Sequence, residues 1–198
     1  MIIAAVLSIV MGLALAVLVL ALKPVVKLAA DVELEEPAPD VVYYREGKRD
    51  DLRTRIAADT FNRFLAGNSV KVDEVDLNAL QQTALESTGS FYNTSAPSFR
   101  LRDDQLQIGV GVNLNVYGYP IATLVQTTGT FVRKGEIFAF EPTTMWVGSC
   151  PVHRLPLFGA PLMAKIIAAQ AWPERIVTAW SKLSDVKVSE SSLSLTTQ

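Results

Sequence analysis

The sequence predicts an α+β fold: an N-terminal transmembrane helix, then a long helix packed on a coiled antiparallel β-meander, with C-terminal helices and a closing hairpin. Three features support this prediction. Residues 2–22 form an unbroken apolar run, apolar residues recur at helical spacing over residues 50–65, and apolar and polar residues alternate strictly over residues 105–117.

The length of 198 residues suits one globular domain with an attachment. We expect a transmembrane anchor at residues 1–22, an acidic, proline-containing linker at residues 23–48 and an α+β globular domain at residues 49–198. The 18 Lys and Arg residues and 20 Asp and Glu residues give a net charge of -2, without the basic excess of a nucleic-acid-binding protein. One cysteine and one histidine exclude an internal disulfide and zinc sites that need several such ligands.

The anchor prediction comes from the first apolar run, in which only Ser8 and Gly12 are not apolar. At 1.5 Å per residue it spans about 31 Å, close to the hydrocarbon thickness of a bilayer. No basic residue precedes it, so it does not resemble a removable signal peptide, and we expect an uncleaved single-pass anchor. Lys23 and Lys27 follow the run and favour a cytoplasmic body. Residues 31–40 contain five acids and two prolines, which predicts a solvated linker.

The helix predicted at residues 50–65 has Asp50 or Asp51 as its N-cap, and Gly67 with Asn68 as its stop. One helix with a wide apolar face is unstable alone, so we expect it to lie on the sheet. The residues of that face are Leu52, Ile56, Phe61, Phe64 and Leu65.

The strands follow as a meander. Ser98–Arg102 leads through a turn at Asp103 and Asp104 into a long strand, whose Gly109 and Gly111 we interpret as points of curvature, with a ligand groove as the alternative. A second long strand at residues 121–133 has a bend or bulge at Gly129. A third strand covers residues 137–140, and residues 143–147 either continue it or start another.

The C-terminal part begins with residues 148–161, which contain three prolines in an apolar segment. This segment either forms a lip over an apolar opening or a patch that contacts a membrane or partner, or it seals the end of the core. We expect His153 within it to make local hydrogen bonds. Helices are predicted at residues 162–171 and after Pro173, with a hairpin formed by Val186 and Val188 against Leu193 and Leu195.

Catalytic motifs are missing from the sequence: it has no G-x-S-x-G, P-loop, G-x-G-x-x-G or H-E-x-x-H pattern. We therefore expect a non-enzymatic protein without catalytic residues, metal site or cofactor.

The order of elements resembles a known group. An anchor is followed by a helix with Phe61-Asn62-Arg63-Phe64-Leu65, by long strands, by Phe138-Ala139-Phe140-Glu141-Pro142 and by a helix containing Trp180. This order resembles the YpmS-like bacterial membrane-anchored proteins and, more loosely, TULIP-type lipid-binding domains. The resemblance implies a helix cradled by a coiled sheet, an apolar interior able to hold lipid, and a body outside the cytoplasm, against the lysine bias.

Two functions remain open at this point. The first is a membrane-tethered module that binds lipid or another apolar ligand. The second is a scaffold or accessory subunit of a membrane protein assembly, with the same residues filling a core. The expected partners are the lipid bilayer, a bound lipid or a membrane protein, and not nucleic acid. The expected ligand-lining residues are Ile56, Phe61, Phe64, Leu106, Ile108, Val110, Val112 and Leu114.

Overall fold

The computed structural model describes residues 2–23, 25–32, 38, 41–80, 92–116, 119–155 and 173–197, without the side chains of residues 2–10, 13, 92, 93, 116 and 119. The fold is α+β with a β-rich core, as predicted. The α-helices among the described residues are α1 (Ile2–Leu22), α2 (Thr54–Leu65), α3 (Glu74–Ala79) and α4 (Glu174–Trp180).

Eleven strands are described, and they form two sheets and one separate pair. A six-stranded sheet has the order β4-β6-β7-β8-β9, with β5 also paired to β6, and a three-stranded sheet has the order β10-β11-β3. The strands are β1 (Val26–Leu28), β2 (Tyr43–Arg45), β3 (Val70–Asp73), β4 (Tyr92–Thr94), β5 (Ser98–Arg102), β6 (Gln105–Val116), β7 (Tyr119–Lys134), β8 (Ile137–Val147), β9 (Cys150–Pro151), β10 (Leu183–Val188) and β11 (Ser192–Thr197).

The predicted meander is confirmed, since β5, β6, β7 and β8 pair antiparallel in sequence order. Asp103 and Asp104 have φ of 51° and 57°, the left-handed pair that a tight two-residue hairpin turn requires. The β7–β8 register shifts at Gly129, which confirms the predicted bulge. This shift lets Pro142 lie within β8, so residues 137–147 form one strand and not two.

The ends of α2 are also as predicted. The Asp50 carboxylate accepts a hydrogen bond from the Leu52 amide at 3.0 Å, ahead of a 3-10 turn. At the other end Gly67 has φ of 85°, and the Asn68 amide donates to the Arg63 carbonyl at 3.0 Å.

The predicted buried face of α2 was partly wrong, because Leu52 is 91% exposed. Leu52 lies in the 3-10 turn, and this end of the helix is held by polar contacts of Arg53 with Asp73.

Strand β3 and helix α3 follow α2 directly and were not predicted from the sequence. The predicted C-terminal hairpin is confirmed, but β11 also pairs with β3, so a three-stranded sheet forms beside the meander. The helix after Pro173 is confirmed as α4. Its predicted buried residue Val177 is 53% exposed, because the face of α4 that turns towards the core runs through Ile176, Ala179 and Trp180. The helix predicted at residues 162–171 lies outside the described residues.

Residues 23–48 contain structure of their own. Strands β1 and β2 pair in parallel, with Val26 opposite Tyr43 and Leu28 opposite Arg45. Most of the acidic segment at residues 31–40 lies outside the described residues, so the predicted solvated linker stays a prediction there.

The helix bounds of α1 coincide with the apolar run. Only part of its side chains is described, and among the residues that the structure describes no helix is both long and apolar enough to cross a membrane. The predicted transmembrane anchor stays a prediction.

Candidate functional site

The apolar core lies between α2, α4, the three-stranded sheet and the first half of β6. Its members come from all four elements and from β5, so that the two sheets and the two helices share one interior. The buried core residues are Phe64, Val70, Val72, Leu101, Leu106, Ala179, Leu183, Val186, Val188, Leu193 and Leu195.

Aromatic rings fill the space between helix and sheet in this core. The ring centroid of Trp180 lies 6.4 Å from that of Phe64 and 5.4 Å from that of Phe131. Phe131 in turn lies 5.6 Å from Phe140, and the Trp180 indole N–H donates to the Phe138 carbonyl at 2.6 Å. These are ordinary contact distances for packed aromatic pairs, so side chains occupy the gap at this end of the body.

Four of the eight predicted lining residues meet in this core. Phe64 and Leu106 are each 4% exposed, and Phe61 and Ile108 pack against them. Ile56 does not join them, because it lies one turn after the exposed Leu52 on the same side of the helix and is itself 55% exposed. Ile56 therefore lies outside this core, and its role as a lining residue stays a prediction.

Val110, Val112 and Leu114 lie further along β6, away from the packed core. They are half-buried, and the β6–β7 register places Val125, Thr123 and Ile121 directly opposite them on the same face of the sheet. We call these six residues the distal face. The structure therefore divides the predicted lining set between a filled core and the distal face.

The C-terminal end of α1 lies against the distal face. The Thr123 hydroxyl donates to the Ala21 carbonyl at 2.8 Å, and the Ser149 amide donates to the Leu20 carbonyl at 2.9 Å. Gly148 passes so close to the Ala21 carbonyl that a Cβ atom at position 148 would overlap it. The last carbonyls of a helix lack partners within the helix, and here the sheet supplies them. The body is therefore fixed to the end of α1.

A polar cluster joins α2 to α3. The Arg53 guanidinium donates to the Asp73 carboxylate at 2.7 Å and to the Asp76 carboxylate at 3.1 Å. Asp73 also caps α3, accepting from the Asp76 amide at 2.7 Å. Burial is the main cause that raises the pKa of Asp76, and repulsion by Asp73 adds to it, whereas Arg53 opposes both. Each of these groups has a structural partner, which indicates a role in folding.

Two further side chains of α3 bind backbone groups. The Glu74 carboxylate accepts from the Lys48 amide at 2.7 Å and from the Leu101 amide at 2.9 Å. The Asn78 side-chain amide donates to the Phe99 carbonyl at 2.7 Å, and its oxygen accepts from the Phe99 amide at 2.8 Å. Sequence reasoning missed these residues. The one available signal was Asp73 three residues before Asp76, which is the spacing of a helix N-terminus.

His153 and Cys150 provide no reactive pair. The His153 Nδ1 lies 3.0 Å from the Met145 carbonyl oxygen, which is the local role predicted for it. Burial raises the pKa of the Cys150 thiol. Within the described ranges, no group of three or more His, Cys, Asp or Glu residues could hold a metal ion.

Comparisons of the whole chain with protein-family models, with curated proteins and with solved structures gave no match.

Proposed function

We propose that this chain is a membrane-tethered, non-enzymatic scaffold or accessory module, whose body is held against the end of its tether. The observation that carries the choice is the packing of Phe61, Phe64, Leu106 and Ile108, four predicted lining residues, into one core with Trp180. A lipid carrier needs an apolar void between helix and sheet, and here aromatic side chains fill that space.

Membrane attachment is the part of this proposal that α1 supports. In the sequence, residues 2–22 are an apolar run that would span about 31 Å as a helix, and Lys23 follows it as an interfacial residue would. The hydrogen bonds to Leu20 and Ala21 then hold the body at the bilayer surface. The resemblance to YpmS-like proteins favours an extracytoplasmic body, and this side of the membrane remains part of the proposal.

Attachment is tested by substituting Met11 and Leu15 of α1 with arginine. Two charges in an apolar span disfavour insertion, so we expect the double variant to leave the carbonate-resistant membrane fraction. The control is Ile137→Arg, which replaces an exposed apolar residue of the body and should leave the protein in that fraction. A double variant that stays in the membrane fraction contradicts the tether.

Lipid binding remains a second candidate because of the distal face. Val110, Val112 and Leu114 are half-buried and lie outside the packed core, so an acyl chain could lie along them. Native mass spectrometry of the full chain from a mild detergent separates the two functions. Lipid adducts that disappear in Val112→Trp, but persist in the exposed control Ile137→Trp, would favour the lipid-binding function. Equal adducts in both would indicate lipid around α1 only.

A further inference from the structure

The outer face of β5 carries two arginines. Phe99 packs against the apolar core and Leu101 belongs to it, so strand alternation directs Arg100 and Arg102 to the opposite face. The β5–β6 register places Gln107 opposite Arg100. This outer face of the sheet is therefore polar and cationic.

Strand β2 lies across this same face and adds a third arginine. The Tyr44 hydroxyl donates to the Ser98 carbonyl at 3.4 Å, and the Gly47 amide donates to the Ser98 hydroxyl at 3.0 Å. These contacts hold β2, which carries Arg45, over the part of β5 that contains Arg100, and Arg45 lies close enough to repel the Arg100 guanidinium. Both Arg45 and Arg100 are half-buried.

Within the described part of the chain, the neighbouring acids are already engaged or exposed. Glu74 uses one carboxylate oxygen for the Lys48 amide and the other for the Leu101 amide. Asp103 pairs with Arg102 at 3.1 Å. Glu46, next to Arg45, is solvent-exposed.

Two of the three arginines, Arg45 and Arg100, lack such a neutralising contact. Across the described residues, no hydrogen bond or ion pair is formed by the guanidinium of Arg45 or of Arg100. Burial is the main cause that lowers the pKa of Arg100, and repulsion by Arg45 and Arg102 adds to it. An anion at this position would remove that repulsion.

We propose that Arg45, Arg100 and Arg102 form a binding site for a phosphate group. Guanidinium groups bind phosphate oxygens through paired N–H donors, and several converging arginines suit a polyvalent oxyanion. The phosphate could belong to a free ion or to a phospholipid headgroup, because both present the same oxygens. This site goes beyond the proposed function and does not need the tether.

The test follows thermal unfolding of the full chain in a non-ionic detergent. Inorganic phosphate is added at an ionic strength held constant with potassium chloride, and we expect the unfolding temperature to rise. In parallel, dihexanoylphosphatidic acid and dihexanoylphosphatidylcholine are added to the same micelles. Stabilisation by phosphatidic acid at lower concentration than by inorganic phosphate assigns the site to a lipid headgroup, and the reverse order assigns it to a free phosphate.

Matched variants connect the effect to the site. Arg100→Gln and Arg45→Gln should each weaken phosphate affinity about tenfold or more, the usual loss for a charge-assisted hydrogen bond. Arg175→Gln removes an exposed arginine of α4 and should change nothing. Without phosphate, Arg100→Gln should unfold at or above the temperature of the parent chain, because repulsion is relieved.

Arg100→Lys, which retains the charge without the planar fork, should respond to phosphate more weakly than the parent chain. The proposal is overturned if none of the phosphate probes stabilises the parent chain, if chloride alone reproduces the effect, or if Arg100→Gln responds like Arg175→Gln.

Discussion

The phenol ring of Tyr44 lies directly against Gly109 of β6, so closely that a Cβ atom at position 109 would overlap the ring. Tyr44 is only 2% exposed. Burial raises the pKa of its hydroxyl, whereas the Ser98 side chain lowers it. Gly109 therefore permits the close approach of β2 to the sheet, in addition to any curvature that the sequence predicted for it.

Gly109→Ala should destabilise the body by about 1–3 kcal/mol, because the added methyl group forces Tyr44 away from the sheet. The measurement is denaturant unfolding of the full chain in detergent, followed by tryptophan fluorescence. Gly111→Ala is the matched control on the same strand and face, where the atom nearest to the added methyl group is the Ser95 hydroxyl oxygen, which can shift more easily than the Tyr44 ring. Equal losses in both variants would contradict the specific role of Tyr44.

Phe64 and Ile56 form a second matched pair, since both were predicted to line the same apolar site. Phe64→Ala should cost about 3–5 kcal/mol, because it opens a cavity beside Trp180. Ile56→Ala should change the unfolding free energy by no more than about 0.5 kcal/mol, because the side chain is mostly exposed. Denaturant unfolding followed by tryptophan fluorescence measures both. A small loss for Phe64→Ala would mean that the core is not closely packed there.

Asp76 should make stability depend on pH. Its pKa in the folded protein is raised above the ordinary value of 3.8, so the native state binds more protons than the unfolded chain between those two values. The contribution of Asp76 to stability therefore falls as pH rises from about 3.8 through the folded pKa, and is constant above it.

In Asp76→Asn this fall should disappear, which unfolding at a series of pH values would measure. Asp59→Asn, at an exposed position of α2, should retain the slope of the parent chain. If Asp76→Asn kept the full slope, another group would have to cause it.

The meander could be predicted from the sequence because its signals are local. Alternation over β6 fixes one apolar face, and Asp103 with Asp104 fixes the turn before it. Gly129 predicted the bulge for the same reason, since a glycine inside a strand usually marks a bulge, a bend or the close approach of another backbone.

The pairing of β3 with β11 could not be predicted, because it joins segments more than a hundred residues apart. The exposure of Ile56 and the burial of Asp76 also escaped prediction. Both depend on how the Arg53 contacts orient the start of α2, and apolar spacing contains no information about that orientation. The division of β6 into a filled core and a distal face has the same origin, since Leu106 and Leu114 have identical side chains.

Two hydrogen bonds, donated by the Thr123 hydroxyl and the Ser149 amide, hold the C-terminal end of α1 against the sheet. Thr123→Val keeps the size of the side chain and removes the hydroxyl that donates to the Ala21 carbonyl, a bond worth about 1 kcal/mol. We expect the angle between α1 and the body to become less well defined, since among the described residues the Ser149 amide bond to Leu20 is then the one hydrogen bond left between α1 and the body.

Spin labels at Met11→Cys and Glu136→Cys measure this change as a broader distance distribution, and the buried native Cys150 should stay unlabelled. Thr143→Val is the control, because the Thr143 hydroxyl donates to the Thr128 carbonyl at 2.9 Å within the sheet and far from α1 in sequence. Its distribution should match that of the parent chain. If the distance distribution of Thr123→Val also matched that of the parent chain, the Thr123 hydroxyl would not help to orient α1 on the body, and the contacts that remain, such as the Ser149 amide bond to Leu20, would have to do so.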